Sequence, residues 1–414
     1  MFELSAPLAT AKALKYFYSG NFLILLVAVA FPLLLLASSV GLLLVRRKGR
    51  RSRALLVAAV SLALAAVLIV AVSLDAIYIE PRRLVFRKVV IYTDKVQRPV
   101  RIVHMSDVQS ASVGSYEREV FRRIKELHPD IVFHTGDLLQ PVRPATYESE
   151  LPKISALLRG LKPPMGIYGV IGDTDGWFLR KKIVNIGGMV ILSDEEAEVR
   201  ETGVSIRILG ITLNQSLSSD VSKREKSWLN NAKDNDFTIV LGHNPHFAMG
   251  LTDVPVDLCL AGDTHGGQIR LPFIGPVTTF GKAPRSWSRG YRSIGLTGLN
   301  VSAGIGCMHH SNGLPSIRFN CPPEITVIEL RPKEALMPSS LRSGMSNTIR
   351  ATAGTPENKL HPAENGTLNY ATFLRTASNI PTLNPADFSA GEHSTSRAVH
   401  GVRRMRLSAP LIGI

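Results

Sequence analysis

Two uninterrupted apolar runs open the chain. Asn21 to Val45 is 25 residues without a charged side chain, and Ala54 to Leu74 is another 21. Each exceeds the roughly 20 residues that a helix needs to cross about 30 Å of hydrocarbon. Between them, Arg46, Arg47, Lys48, Arg50, Arg51 and Arg53 place six cations in eight residues. A soluble helical hairpin does not gather charge in this way, and the first run is too long for the apolar stretch of a cleaved leader. The pattern predicts a two-helix transmembrane hairpin, about 21–45 and 54–74, within a membrane region 1–98. The positive-inside rule puts the six-cation loop in the cytoplasm and the rest of the chain outside. An arginine cluster read as an export signal points the same way. Arg82, Arg83, Arg87 and Lys88 follow the second run and oppose that bias, so a cytoplasmic domain remains the alternative.

From Pro99 onward the pattern changes to short apolar runs that end in Gly/Asp-rich turns and alternate with amphipathic stretches. Strands are expected at 100–105, 131–135, 168–171, 204–209, 237–241 and 258–261. The segment 324–330 alternates apolar and polar residues, as a half-buried strand does. Helices are expected near 115–127, with Ser115 and Glu117 in the first turn, and near 148–158. Interleaved strands and helices imply a layered α/β domain over 99–333. Residues 334–414 are rich in Ser, Thr, Ala, Asn and Pro without sustained periodicity, and read as a low-complexity, disordered tail.

Charge looks at first like a nucleic-acid signal, since the formal net is +15. Most of it lies at the ends. Residues 1–98 carry a net of +10 and residues 334–414 a net of +3, which leaves +2 for the 235 residues between. No nucleic-acid partner is expected of such a core. Three cysteines, Cys259, Cys307 and Cys321, are too few and too scattered for a disulfide scaffold or a cysteine-type zinc module.

Five polar clusters follow the expected strands: Ser106-Asp107-Val108-Gln109, Gly136-Asp137, Gly172-Asp173-Thr174-Asp175, Gly242-His243-Asn244 and Gly262-Asp263-Thr264-His265-Gly266-Gly267-Gln268. A lone Gly-Asp after a strand is commonly a turn. Five such clusters, supplying carboxylates, an amide and imidazoles at the ends where α/β sheets place ligands, are not explained as turns.

In this order the clusters resemble the calcineurin-like metallophosphoesterase superfamily, whose motifs run D-x-H, G-D, G-N-H-D/E, G-H and G-H-x-H. The resemblance covers about 99–333. The most similar branch carries G-H-T-H-G-G-Q and a closing stretch like Gly313-Leu314-Pro315 to Pro323-Glu324-Ile325-Thr326, and includes membrane-tethered enzymes and UDP-2,3-diacylglucosamine pyrophosphatases. The resemblance implies a four-layer α/β/β/α sandwich holding two divalent metal ions. Carried over, Asp107, Gln109 and His265 would hold one ion, Asp137 would bridge, and Asp173, His243 and Asp263 would hold the other. Two such cations clamp a phosphoryl group and ionise a water.

Four positions depart from the family pattern. Gln109 and Asp263 stand where histidines are usual, and Asp173 replaces asparagine. The ligand set would then carry four carboxylates rather than two, a choice that favours Mn²⁺ or Mg²⁺ over Zn²⁺, with iron also open. Thr174 replaces the histidine that stabilises the transition state or protonates the leaving group, and a threonine cannot act as an acid. General acid catalysis is commonly worth about 10²–10⁴-fold. Thr174 and its neighbour Asp175 are the candidate catalytic residues, with Asp175 or His246 as substitutes for the missing group. His104 and His134 read as packed strand residues. Arg270, Lys282, Arg285, Arg289 and Arg292 are candidate phosphate contacts.

Two functions follow. One is a membrane-anchored, metal-dependent phosphoesterase acting on a phosphodiester or pyrophosphate of a phosphorylated small molecule or lipid. The alternative is a catalytically impaired protein that keeps the scaffold and binds.

Overall fold

In the computed structural model, residues 20–47, 52–279, 283–309 and 316–333 are described. They belong to one of two units, the one that takes in Met1–Lys333. The expected tail, 334–414, lies outside the described residues.

The two apolar runs form helices Gly20–Arg47 and Arg53–Leu74. The second continues through a π-turn, Asp75–Ile79, and a short 3₁₀ turn, Glu80–Arg82. Both are long and apolar enough to cross a bilayer, with mean hydropathy 2.1 and 3.0 over Val29–Arg47 and Arg53–Arg82. They meet through small side chains. Ser39 Oγ donates to the carbonyl of Ala59 at 2.8 Å, and Ala59 and Ala66 are buried. Their large residues, such as Leu33, Leu64 and Val67, face outward.

Fifteen strands follow among the described residues. They are β1 (Val85–Thr93), β2 (Val100–Met105), β3 (Ile131–His134), β4 (Ile167–Gly169), β5 (Asn185–Ile186), β6 (Met189–Ile191), β7 (Glu195–Glu201), β8 (Val204–Gly210), β9 (Phe237–Leu241), β10 (Leu258–Ala261), β11 (Arg270–Leu271), β12 (Gly275–Pro276), β13 (Gly290–Ile294), β14 (Thr297–Val301) and β15 (Glu324–Pro332). A seven-stranded sheet has the order β1-β15-β2-β3-β4-β6-β5, and a six-stranded sheet the order β13-β14-β10-β9-β8-β7. β11 and β12 form a separate hairpin.

The layers follow from period-two alternation on strands buried on both faces. Ile102, Ile131, Phe133 and Ile328 point from the first sheet toward Ile208, Ile239, Leu241 and Leu260 of the second, making the inter-sheet core. Val103, Met105 and Val132 face the other way, onto Val120, Phe121 and Ile124 of helix Ser115–Glu126 and Ile154 and Leu158 of helix Tyr147–Arg159. The outer face of the second sheet buries Leu209, Val240 and Val301 beneath Leu229 and Phe247. This is the α/β/β/α sandwich that the sequence implied.

Two expectations are corrected. The sheet begins upstream of residue 99: β1 pairs in parallel with β15 from Val85↔Glu324 to Thr93↔Pro332. That pairing also makes β15 an interior strand, flanked on its other side by β2. Seven consecutive residues of β15, Glu324–Leu330, are therefore buried, and the strand is not half-exposed as its alternation suggested.

What matters for function is direction. β2, β3 and β4 run parallel in one sheet, and β9, β10 and β14 run parallel in the other. Each set brings its C-terminal ends to one edge, where the polar clusters lie.

Candidate metal centre

Asp107 follows β2, Asp137 follows β3, Asp173 follows β4, His243 follows β9, and Asp263 and His265 follow β10. All converge. One ligand atom each of Asp107, Asp137 and His265 lies within 4.8 Å of the others, and the same holds for Asp137, Asp173 and His243. Asp137 belongs to both groups. His243 Nε2 is 3.6 Å from Asp137 Oδ1, 3.3 Å from Asp173 Oδ1 and 3.7 Å from Asp263 Oδ1. His265 Nε2 is 3.6 Å from Asp107 Oδ1.

The turns that achieve this are strained. Asp107, Gln109, Asp137, Asp263 and His265 all have φ between +37° and +67°. That left-handed region is uncommon for residues other than glycine, and such strain concentrates at functional sites. Close approach adds to it. A Cβ on Gly172 would lie 2.0 Å from Asp137 Oδ1, and one on Gly262 would lie 2.4 Å from Asp107 Oδ2. At these two Gly-Asp pairs the glycine thus leaves the space that another strand's carboxylate occupies.

Hydrogen bonds cross between the sheets to aim the side chains. The Nδ1–H of His243 donates to the Thr135 carbonyl at 2.7 Å, so Nε2 is the atom presented to the carboxylates. The Asp263 amide donates to both oxygens of Asp107, each at 3.2 Å. Asn244 Nδ2 donates to Asp263 Oδ2. Beneath the site, Asn300, His104, Thr135 and Ser106 form a buried polar chain with contacts of 2.7–2.9 Å. Burial lowers His104 and His134 to about 3, so both are neutral packed residues, as expected.

Carboxyl groups crowd the site. Burial pushes Asp107 up to about 7 and also raises Asp263. Burial holds Asp137 well above the usual carboxylate range, against the attraction of His243 and with added repulsion from Asp175, Asp173 and Asp107. Asp173, largely exposed, is lowered by its hydrogen bond from His243. Burial disfavours charge on His243, yet Asp137, Asp173, Asp107 and Asp263 together raise its pKa well above the ordinary value. Burial, assisted by Arg318, lowers His265 to about 3. Four aspartate carboxyl groups thus gather around the His243 ring. Gln109 Oε1 and His265 Nδ1 are buried with no partner among the described residues. A buried, oxygen-rich set short of positive charge fits divalent cations.

Three candidates take roles that differ from expectation. Gln109 Nε2 donates to Asp137 Oδ2 at 2.7 Å, so its amide orients Asp137, and only Oε1 is left over. Asp175 does not face the site as a substitute acid. Its carboxylate is fully engaged as an acceptor, from the amides of Asp137 (2.7 Å), Leu138 (2.9 Å) and Gly172 (3.0 Å). Thr174 contributes its backbone, whose N–H donates to Asp137 Oδ1 at 3.0 Å, while its hydroxyl has no partner among the described residues. His246 sits in the turn Pro245–Gly250, where its amide donates to Asn244 Oδ1 at 2.9 Å.

The basic loop is present but is used structurally. Arg270 Nη1 donates to the Gly266 carbonyl, and Arg292 Nη2 to the Arg289 carbonyl, each at 2.8 Å. Lys282 lies outside the described residues. Sequence reasoning missed Arg318, the largest fully buried side chain. Its guanidinium donates to the carbonyls of Ala303, Gly304, Gly306 and Cys321 and so fixes the loop packed against Asp107 and His265. Nothing local in its sequence marks it, because its partners are carbonyls.

Known proteins are similar to this chain in sequence. A family model described as calcineurin-like phosphoesterase matches residues 100–267. The chain is 32% identical over 240 residues to metallophosphoesterase YkuE of Bacillus subtilis (strain 168), covering 56% of this chain and 79% of that one. It is 26% identical over 230 residues to metallophosphoesterase YkoQ of the same organism, covering 50% and 81%. It is 35% identical over 96 residues to phosphodiesterase YaeI of Escherichia coli (strain K12), covering 22% and 32%. The chain belongs to the calcineurin-like metallophosphoesterase family.

Proposed function

We propose that this chain is a membrane-anchored phosphoesterase that hydrolyses a phosphodiester or pyrophosphate bond with the help of two divalent cations. The observation that carries the reading is the convergence of Asp107, Asp137, His243 and His265 from four strand ends of two sheets. Asp107, Asp137 and His265 would hold one cation, and Asp137, Asp173, His243 and Asp263 the other, with Gln109 assisting through its free Oε1. The oxygen-rich set favours Mn²⁺ or Mg²⁺. Once bound, the cations supply the positive charge that clamps a phosphoryl group and acidifies water.

The protein's own groups do the positioning. Gln109 and the Thr174 amide hold the two oxygens of Asp137, and the Thr135 carbonyl keeps Nε2 of His243 directed inward. No side chain is left to donate a proton to the departing group at the Thr174 position, since Asp175 is consumed by three backbone amides. That favours substrates whose leaving group is already a weak base, such as the phosphate side of a pyrophosphate. The two apolar helices support anchoring, and a lipid-linked phosphate ester is the substrate class that such an anchor suits. The alternative, a binding protein without turnover, is favoured by the same missing acid.

Hydrolysis of bis-p-nitrophenyl phosphate separates the two. With Mn²⁺ the full chain should turn over this good-leaving-group ester, and Asp137→Asn should reduce the rate at least about 10²-fold, by analogy with other single charge-stabilising groups. Metal binding without turnover under Mn²⁺ or Mg²⁺ would sustain the binding protein instead.

A further inference from the structure

The hairpin β11–β12 carries an apolar tip that is exposed among the described residues. Phe273 is 109% exposed and Ile274 69%, flanked by Leu271 and Val277, both also exposed. Phe273 sits in this turn with φ +63°, which directs a bulky aromatic outward from a backbone conformation it seldom adopts. Scattered single apolar residues on a surface are ordinary, but four within seven residues at one tip form a patch.

The base of this hairpin is tied to the place where the second long helix ends. The Arg270 amide donates to the Phe319 carbonyl and the Phe319 amide to the Gln268 carbonyl, each at 2.9 Å. The preceding residue, Arg318, donates its amide to the carbonyl of Ala76 at 3.0 Å. Ala76 lies in the π-turn that continues the apolar helix, and the same turn exposes Tyr78 and Ile79. An exposed tyrosine just beyond an apolar span is the kind of residue that settles at a membrane–water boundary.

Arginines without acidic partners lie on the hairpin and on the segment next to it. Arg285 Nη2 donates to the carbonyls of Pro276 and Val277, on the hairpin itself. Arg270 donates to Gly266 and Ser288, and Arg289 and Arg292 lie on the adjoining segment. Among the described residues none of these four arginines has a carboxylate ion partner. An apolar tip with uncompensated positive charge around it matches a surface of acyl chains beneath anionic headgroups.

We infer that the Leu271–Val277 tip inserts into the surface of the bilayer that the two long helices enter, and seats the domain against anionic lipid. The inference rests on reading those helices as membrane spans. It gives the domain a second foothold beside the exit point at Ala76, so the metal-centre edge is held at a fixed height and not left swinging on the span. A substrate embedded in the same leaflet is then presented to the site without leaving the membrane.

Site-directed spin labelling tests this with the full chain in vesicles of phosphatidylethanolamine and phosphatidylglycerol. The three native cysteines are buried, so an introduced thiol is the one labelled. Phe273→Cys reports the tip, Leu64→Cys the second helix, and Leu296→Cys a residue 100% exposed on the β13–β14 turn, with no link to the helices. The tip label is expected to be open to oxygen and shielded from the nickel complex NiEDDA, as Leu64 should be and Leu296 should not. A tip label as open to NiEDDA as Leu296, with Leu64 still in lipid, overturns the inference and leaves the anchor standing. A tip label shielded from both reagents marks a protein contact and also overturns it. A Leu64 label open to NiEDDA removes the membrane reading itself, and the inference with it.

Discussion

Single residues decide what chemistry the site can perform, and Asp175 is the clearest case. Next to Thr174 in sequence, it is the obvious stand-in for a missing acid, but its carboxylate accepts three backbone amides and braces the turn that carries Asp137. Asp175→Asn should lower the thermal midpoint by an amount equivalent to about 1–3 kcal/mol, since one of those buried amides would meet a donor instead of an acceptor. The pH–rate profile of the remaining turnover should keep its shape, because no titrating catalytic group is removed. A lost basic limb confined to poor leaving groups would return Asp175 to catalysis. The ligand candidates were legible because residue type and place after a strand both pointed to them. Side-chain direction was not, since residues two apart in a tight turn face different ways: Asp173 toward His243, Asp175 into the backbone. Asn244 and Arg318 were hidden for another reason, as their roles depend on partners distant in the chain.

Among the elements, β1 shows where pattern reading stops. Its residues Val85–Thr93 mix Arg87 and Lys88 into an apolar run, and they follow a long apolar helix, so charge at the end of that helix masked a strand. The structure resolves the mixture: Arg87 Nε bonds buried Glu324 at 2.6 Å, and Lys88 bonds Glu329 at 2.9 Å, both on β15. The cations thus face the neighbouring strand's acids instead of a headgroup. A chain beginning at residue 84, without the two apolar helices, should fold to a soluble, cooperatively melting domain. One beginning at residue 99 should aggregate, because it bares the edge of β15 and strips the guanidinium from Glu324. Size-exclusion chromatography and thermal melts of the two distinguish the outcomes, and equal solubility would show β1 to be dispensable. The strands that were legible, β2, β3, β4, β8, β9, β10 and β15, are mostly buried along their length and read as apolar runs. The charged β7 and the short β5 and β6 carry too little apolar pattern to be seen.

At the scale of the whole molecule, two sheets held together by an apolar core are also joined at one edge by a cluster of like charges, and that sets how stability depends on pH and metal. Asp107, Asp137 and Asp263 bind protons more tightly folded than unfolded. Their contribution is therefore complete below about pH 4 and drains away as pH rises toward 7. His243 has the same sign, since its folded pKa is also raised: its contribution holds below about pH 6.5 and is lost as pH climbs through the folded value. Asp173 has the opposite sign, but its contribution is already full above about pH 4 and is flat beyond it. Without cations the protein should melt at steadily lower temperature from pH 5 to pH 8. A tenfold difference in proton affinity between folded and unfolded chain is worth about 1.4 kcal/mol, enough to move the midpoint by several degrees. Divalent cations prefer the ionised carboxylates, so the gain in midpoint on adding Mn²⁺ should be larger at pH 8 than at pH 5. Calorimetry in detergent with a chelator or with Mn²⁺ measures both slopes. A chelated protein that grows more stable from pH 5 to pH 8 would mean that the four carboxylates are not gathered as found, and the cation pair would lose its physical basis.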